Sequence, residues 1–311
     1  MSTIATQTTK KLAVIGNGMT GMRTVEELLK IAPDKYEITV FGTEPHPNYN
    51  RILLSPVLAG EQTIKDILLN DWDWYKGNGI NLITGKTITD IHRTRRELTT
   101  DTGEKHNYDR LLVATGSNPF ILPIDGNKLP RVISYRDIAD TEAMIDAAKH
   151  YNRAVVIGGG LLGLEAANGL KLRGMDVTVV HVMPWLMERQ LDEKAGKLLQ
   201  GSLEAKGIKF RMQAQTEALI AGESGRVAAL RFKGGEQIPA DRVVMAVGIR
   251  PKTALAEKSG LQVSARPDGI IVNDTTSAPT PTFRKTAPSA SSLGCGVARR
   301  QRMSCDALPM P

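Results

Sequence analysis

Cysteine is nearly missing from this sequence. The 311 residues contain two, Cys295 and Cys305, both near the C-terminal end. The long body before them therefore has no disulfide framework, no cysteine cluster for zinc or iron–sulfur, and no Cys-x-x-Cys redox pair. Aromatic residues are also scarce, at 5%. The basic residues are scattered rather than interleaved with aromatics, which argues against a nucleic-acid surface. No run approaches the roughly 18 uncharged apolar residues of a membrane-spanning helix. The first ten residues are polar and threonine-rich, with no apolar core and no small-residue cleavage site, so a secretory leader is not expected and the cytoplasm is.

The formal charge of +7 is concentrated at one end. Residues 275–311 carry Arg284, Lys285, Arg299, Arg300 and Arg302 against Asp306, a net of +4 that leaves +3 for everything before. Recruitment of an anionic partner by that tail has only these dispersed charges behind it. The body, with 41% hydrophobic and 23% charged residues overall, has a globular balance and is long enough for two domains.

What is present is a repeated pattern. Leu12–Ile15 is a short apolar strand, followed by a glycine-rich turn, an amphipathic stretch Met22–Ile31 closed by Pro33, and a strand Ile38–Phe41. Segments between Ile80 and Asp101, including Asn81–Thr84 and Glu97–Thr100, alternate with polar turns and suggest a small antiparallel insertion. Leu111–Thr115 reads as another buried strand, and Asn118–Pro130 as a connection between domains. The pattern restarts with strand Arg153–Ile157, helix Leu161–Arg173 and strand Val177–Val180. A helix near Leu191–Lys206, short strands near Lys209–Met212, Thr216–Ala221 and Val227–Phe232, and a closing strand Val243–Val247 follow. Two β-α-β starts predict an α/β fold of two Rossmann-like, doubly wound domains.

The first turn, Gly16-Asn-Gly18-Met-Thr-Gly21, is Gly-x-Gly-x-x-Gly between strand and helix. Gly16 permits the tight turn, Gly18 lets a pyrophosphate approach the backbone, and Gly21 lets helix and strand pack closely. The helix N-terminus offers free N–H groups to phosphate. Glu44, just past the second strand, is placed to accept ribose hydroxyls. A glycine-rich turn can also be merely structural, but here strand, turn, helix, strand and acid occur in order. Gly158-Gly-Gly160-Leu-Leu-Gly163 repeats the cradle. Where an acidic ribose partner is expected after the second strand stands His181, so NADH and NADPH are both left open. His181 reads either as a ribose contact or as a solvent-facing strand end. Glu165, placed by this reading on the first helical turn, either complements the helix dipole or serves an active site. No nucleophile triad or metal cluster is legible, so the simplest chemistry is hydride passed between two bound dinucleotides.

Gly16–Gly21, Glu44, the segment Val113-Ala-Thr-Gly-Ser117, Gly158–Gly163 and Ala246-Val-Gly-Ile-Arg-Pro251 resemble the FAD-dependent pyridine nucleotide reductases. The likeness covers about residues 10–274. It implies an FAD domain of 10–135 and 241–274, with an NAD(P)H domain of 136–240 inserted in it. The implied cofactors are FAD at the first cradle, with Thr115 and Gly116 in the Ala-Thr-Gly turn, and NAD(P)H at the second. Gly248 lies in the segment where the chain turns back toward the FAD domain. The run from Phe41 to Gly60 and that from His181 to Asp192 are similar to the nitrite reductase branch of the family. By that likeness Arg51 and Ser55 lie along the flavin, although Arg51 by itself reads as a solvated surface charge. Pro56 stands where related ferredoxin reductases usually carry lysine. The implied partner is a downstream electron acceptor, in this branch iron–sulfur and sirohaem centres whose ligands this chain does not carry. The branch that uses a dithiol beside the flavin is excluded by the cysteine-free body.

After Asp274 the family pattern leads to an aromatic-Ala-x-Gly-acid turn, which this sequence lacks. Five prolines, five serines and five threonines fill residues 275–311, which read as a disordered or divergent tail. The expectation is a truncated or frame-shifted FAD domain with weakened flavin binding. The alternative function is then a flavin-free fragment that holds NAD(P)H without catalysis.

Overall fold

The computed structural model describes residues 9–265, 269–273, 275, 277, 278 and 295–297. The chain divides into two compact units. One takes the described parts of Met1–Tyr49, Asn70–Gly116 and Pro251–Pro311; the other takes Asn50–Leu69 and Ser117–Arg250. No helix among the described residues is long and apolar enough to cross a membrane.

The first unit is built on a five-stranded parallel sheet. Its order is Cys295–Val297, Arg110–Val113, Lys10–Ile15, Tyr36–Gly42, Asn81–Thr84. Parallel strands are buried on both faces, which is why they read as nearly continuous apolar runs. Alternate residues go to opposite sides. Ala13, Ile15, Leu111 and Val113 pack with Ile88, Ile91 and Leu98 of an antiparallel three-stranded ribbon. Val14, Val40 and Leu112 pack with Met22 and Val25 of helix Met19–Ile31 and with Tyr75 of helix Trp72–Gly77. Fully burying a valine or leucine contributes about 1.5–3 kcal/mol, so each buried residue of the sheet centre adds appreciably to the stability of this unit.

The second unit repeats the plan. Its parallel sheet runs Val132–Ser134, Arg242–Met245, Arg153–Ile157, Asp176–Val180, Lys209–Arg211. Val155, Ile157, Val243 and Met245 face Leu219, Leu230 and Phe232 of a second antiparallel ribbon. Helix Leu161–Leu172 follows the cradle, and the short helix Leu54–Ala59 packs on it so closely that a Cβ on Gly169 would lie 2.6 Å from Leu58 Cγ. Arg173 closes that contact by donating Nε to the Leu58 carbonyl at 2.5 Å and Nη2 to Val57 at 3.0 Å, satisfying carbonyls at the end of the short helix.

The α/β architecture with parallel sheets is as expected, with two differences. Asn81–Thr84 belongs to the edge of the first parallel sheet, paired with Tyr36–Gly42, and not to the antiparallel ribbon. A four-residue strand carries no periodicity that distinguishes the two settings. The region 275–311 was expected to be irregular, yet Cys295–Val297 pairs in parallel with Arg110–Val113. Backbone hydrogen bonding at an open sheet edge asks little of side-chain pattern, so three residues suffice. Ala278 is buried beside Ala256 and Leu261. The rest of the expected tail lies outside the described residues.

Candidate functional site: two glycine cradles

Each cradle sits at the carboxyl end of its sheet, between the first strand and the strand paired on its other side. That is the switch point where open α/β sheets bind ligands. The two are matched in detail. Gly16 N–H donates to the Phe41 carbonyl at 2.9 Å, and Gly158 N–H to Val180 at 2.8 Å. Both glycines have positive φ, +115° and +119°. A Cβ on Gly16 would fall 2.1 Å from the Ala114 carbonyl oxygen, and one on Gly158 2.4 Å from that of Ala246. The third glycines are equally confined, since a Cβ on Gly21 would meet the Gly16 oxygen at 2.5 Å and one on Gly163 the Gly158 oxygen at 2.0 Å. Ala114 and Ala246 thus close the base of each turn, their Cβ atoms 3.2 and 3.4 Å from Cβ atoms built on Gly21 and Gly163.

The middle glycines are different. Around a Cβ built on Gly18 or Gly160 there is nothing within 4 Å, and both residues have extended backbone. Neither the fold nor the backbone angle requires glycine there; space above the helix N-terminus does. The helix caps agree. Helices starting at Trp72, Ile138 and Glu193 are capped by side chains of Asp71, Asp137 and Asp192. The helices after the cradles have Gly18 and Gly160 as N-caps, no side-chain cap and no acid in the first turn. Their leading N–H groups are left to a ligand, and the dipole there favours an anion. Both cradles therefore fit a dinucleotide pyrophosphate.

Around the first cradle, Glu44 is half-buried and accepts the Tyr49 hydroxyl at 2.7 Å. Asn17 anchors the loop: its Nδ2 donates to the His46 carbonyl at 3.1 Å and its Oδ1 accepts the Tyr75 hydroxyl at 2.6 Å. Burial raises the Tyr75 pKa above that of an ordinary tyrosine, so this phenol remains a donor. Thr115 Oγ1 donates to the Lys252 carbonyl and Lys252 N–H to that of Gly116, both at 3.0 Å. Gly116 has φ +73° with open space around it.

Around the second, Gly248 (φ +117°) lies two residues past Ala246, also in open space. His181 is not a solvent-facing strand end: it is 7% exposed. Its Nδ1 accepts the Gly159 N–H at 3.1 Å and its Nε2 stands 3.2 Å from Glu188 Oε2. Glu165 falls beyond the first helical turn, so it does not complement the dipole as one reading supposed. Instead it accepts the Ser55 hydroxyl at 2.7 Å, and the Tyr135 hydroxyl lies 3.2 Å from Ser55 Oγ. Because the Ser55 proton is committed to Glu165, Tyr135 is the donor to Ser55. Burial, with the Glu165 charge adding to it, pushes the Tyr135 pKa up to about 12, which keeps that proton in place.

Arg51 and Ser55 belong to the second unit. Arg51 is half-buried and donates Nη1 to the Arg136 carbonyl at 2.5 Å, so it is not simply a solvated charge. The sequence reading did not single out Asn17, Tyr49, Tyr135 or Glu188. Only Asn17, inside the glycine turn, had a local signal.

A family model described as pyridine nucleotide-disulphide oxidoreductase matches residues 10–282. Nitrite reductase (NAD(P)H) of Bacillus subtilis strain 168 is 55% identical over 265 residues, 85% of this chain and 32% of that protein. The assimilatory nitrate reductase electron transfer subunit of the same organism is 47% identical over 85% of this chain and 34% of its own length. The chain thus spans about a third of the length of these curated relatives. Among solved structures, putidaredoxin reductase in covalent complex with putidaredoxin matches with a TM-score of 0.81 and 27% identity, over 88% of this chain and 66% of that one. An NAD-dependent persulfide reductase from A. fulgidus matches with the same score and identity, over 86% and 51%. The paired cradles and these matches agree: the chain belongs to the pyridine nucleotide-disulphide oxidoreductase family, whose cofactors are FAD and NAD(P)H.

Proposed function

We propose that the chain is an FAD-dependent NAD(P)H oxidoreductase module of the cytoplasm that passes electrons to a downstream acceptor. The observation that carries this reading is the duplication of the open cradle. The helix N-termini at Met19 and Leu161 lack side-chain caps, and each lies beneath a glycine whose missing Cβ leaves room for phosphate. Gly16, Gly18 and Gly21 hold the FAD pyrophosphate, Glu44 accepts its ribose hydroxyls, and Thr115 and Gly116 line the same domain. Gly158, Gly160 and Gly163 hold NAD(P)H, with Gly248 beside that turn and His181 fixing it. The domains are proposed as 10–135 with 241–274 for FAD and 136–240 for NAD(P)H, although strands Val132–Ser134 and Arg242–Met245 pair within the sheet of the second cradle. Arg51 and Ser55 are proposed as flavin residues on the family resemblance alone.

When bound, the flavin supplies a hydride acceptor that can release electrons onward. The protein's own part is to bind and orient. Glu165 is the side chain assigned to the reacting centre, its carboxylate fixed by the Tyr135–Ser55 hydroxyl pair. One relative is named a nitrite reductase and another an assimilatory nitrate reductase electron transfer subunit, which supports a downstream acceptor; that it carries iron–sulfur or sirohaem centres is what the resemblance to the nitrite reductase branch implies.

The test is reconstitution. The purified chain incubated with FAD and desalted should reduce ferricyanide with NADH or NADPH, and a Gly18→Ala variant should lose both flavin and activity. A chain that binds NAD(P)H but retains no flavin would replace this reading with that of a nucleotide-binding fragment.

A further inference from the structure

The second cradle lacks the acid that should follow its second strand, yet the structure puts a carboxylate there by another route. His181 occupies the position, and its ring turns inward: a Cβ on Gly159 would lie 2.8 Å from His181 Cγ. Because the Gly159 N–H donates to Nδ1, the ring proton is on Nε2, directed at Glu188 Oε2 3.2 Å away. The Met187 N–H donates to the Gly159 carbonyl at 3.0 Å, so the carbonyl of Gly159 is tied directly to the segment that carries Glu188 and its N–H is tied to it through His181. Glu188 keeps 22% of its side chain exposed, with Arg189 Nε 4.0 Å from Oε1. Arg211, whose carbonyl accepts the His181 N–H, is engaged by Glu236 at 3.3 Å.

Resting on the assignment of NAD(P)H to this cradle, we infer that Glu188, positioned through His181, supplies the carboxylate that the strand end lacks and selects NADH over NADPH. A carboxylate at this edge accepts a ribose 2′-hydroxyl and repels a 2′-phosphate. Arg189, 87% exposed and 4.0 Å from Glu188 Oε1, is a cation that opposes it. His181 is a positioning residue. It sets the Gly159 amide and the carboxylate but meets no distinguishing part of the nucleotide.

The experiment is an equilibrium titration of the full chain with NADH and with NADPH, followed by nucleotide fluorescence, which needs no turnover. Wild type should bind NADH at least about tenfold tighter. Glu188→Gln, which keeps an acceptor for His181, should bring the two affinities within about threefold, and Glu188→Arg should invert them. His181→Phe, which releases both the Gly159 amide and the Glu188 carboxylate, should weaken both nucleotides and narrow the NADH preference. Wild type that prefers NADPH, or Glu188→Gln with an unaltered ratio, overturns the inference while leaving the cradle assignment standing. Wild type that binds neither nucleotide overturns both. Near-ultraviolet circular dichroism matching wild type shows that a changed ratio is not misfolding.

Discussion

Gly160→Ala separates a cradle from a mere turn. Gly160 has φ −83° and ψ 176°, which alanine adopts freely, and a Cβ there has no neighbour within 4 Å. The folded state loses little. Alanine is a poorer N-cap than glycine, but it lowers the entropy of the unfolded chain by a comparable 0.4–1 kcal/mol. Net stability should move by less than about 1 kcal/mol, a Tm change of roughly 4 °C or less for a unit of this size. A phosphate seated on the helix N-terminus must retreat from the new methyl. Losing two hydrogen bonds to a charged group, at about 1.5–3 kcal/mol each, weakens binding by at least about a hundredfold. Gly158→Ala is the contrast: its Cβ would fall 2.4 Å from the Ala246 oxygen at φ +119°, so it should destabilise by more than about 2 kcal/mol. NADH titration and thermal melts of both variants decide the matter. A Gly160→Ala protein that melts normally and binds NADH like wild type would refute the reasoning.

Three further outcomes follow from other parts of the molecule. Burial, with the neighbouring Asp137 charge adding to it, pushes the Asp140 carboxyl from 3.8 up to about 6, so its protonated form favours the folded state. That stabilisation is fully present below about pH 4 and lost as pH rises to about 6. Since the group is partly exposed, the loss should be on the order of 1 kcal/mol, seen as a denaturant-midpoint slope that Asp140→Asn flattens. Gly169→Ala should destabilise by about 1–3 kcal/mol despite alanine's higher helix propensity, because its Cβ would sit 2.6 Å from Leu58 Cγ; chemical denaturation checks the sign. Glu165→Gln should lower reductase turnover at least about tenfold while leaving nucleotide affinity within threefold, and steady-state kinetics showing a change only in KM would count against its assignment.

Much of the fold was legible because its elements repeat. Strand Arg153–Ile157 and helix Leu161–Leu172 carry strong periodic signals, and the glycine turns mark their junctions. Helix Ile138–His150 did not show itself. Its buried positions are Ile138, Thr141, Met144 and Ala147, and a stripe half made of threonine and alanine barely stands out from its polar neighbours, although Asp137 caps it. The glycines named by motif take the tight-turn and close-packing geometry that their spacing implies. Site residues set by long-range packing did not reveal themselves. Tyr135 meets Ser55 across 80 positions and Tyr75 meets Asn17 across 58, distances at which no local pattern exists. Glu188 escaped for a subtler reason: seven residues beyond its histidine, it is outside the window where an acid is sought.

The measurement closest to the central claim is a visible absorption spectrum of the FAD-reconstituted protein during anaerobic addition of NADH and then NADPH. The account predicts bound flavin whose bands bleach on addition of nicotinamide nucleotide, NADH acting at the lower concentration. A protein that retains no flavin after desalting, or retains flavin that neither nucleotide bleaches, would contradict it.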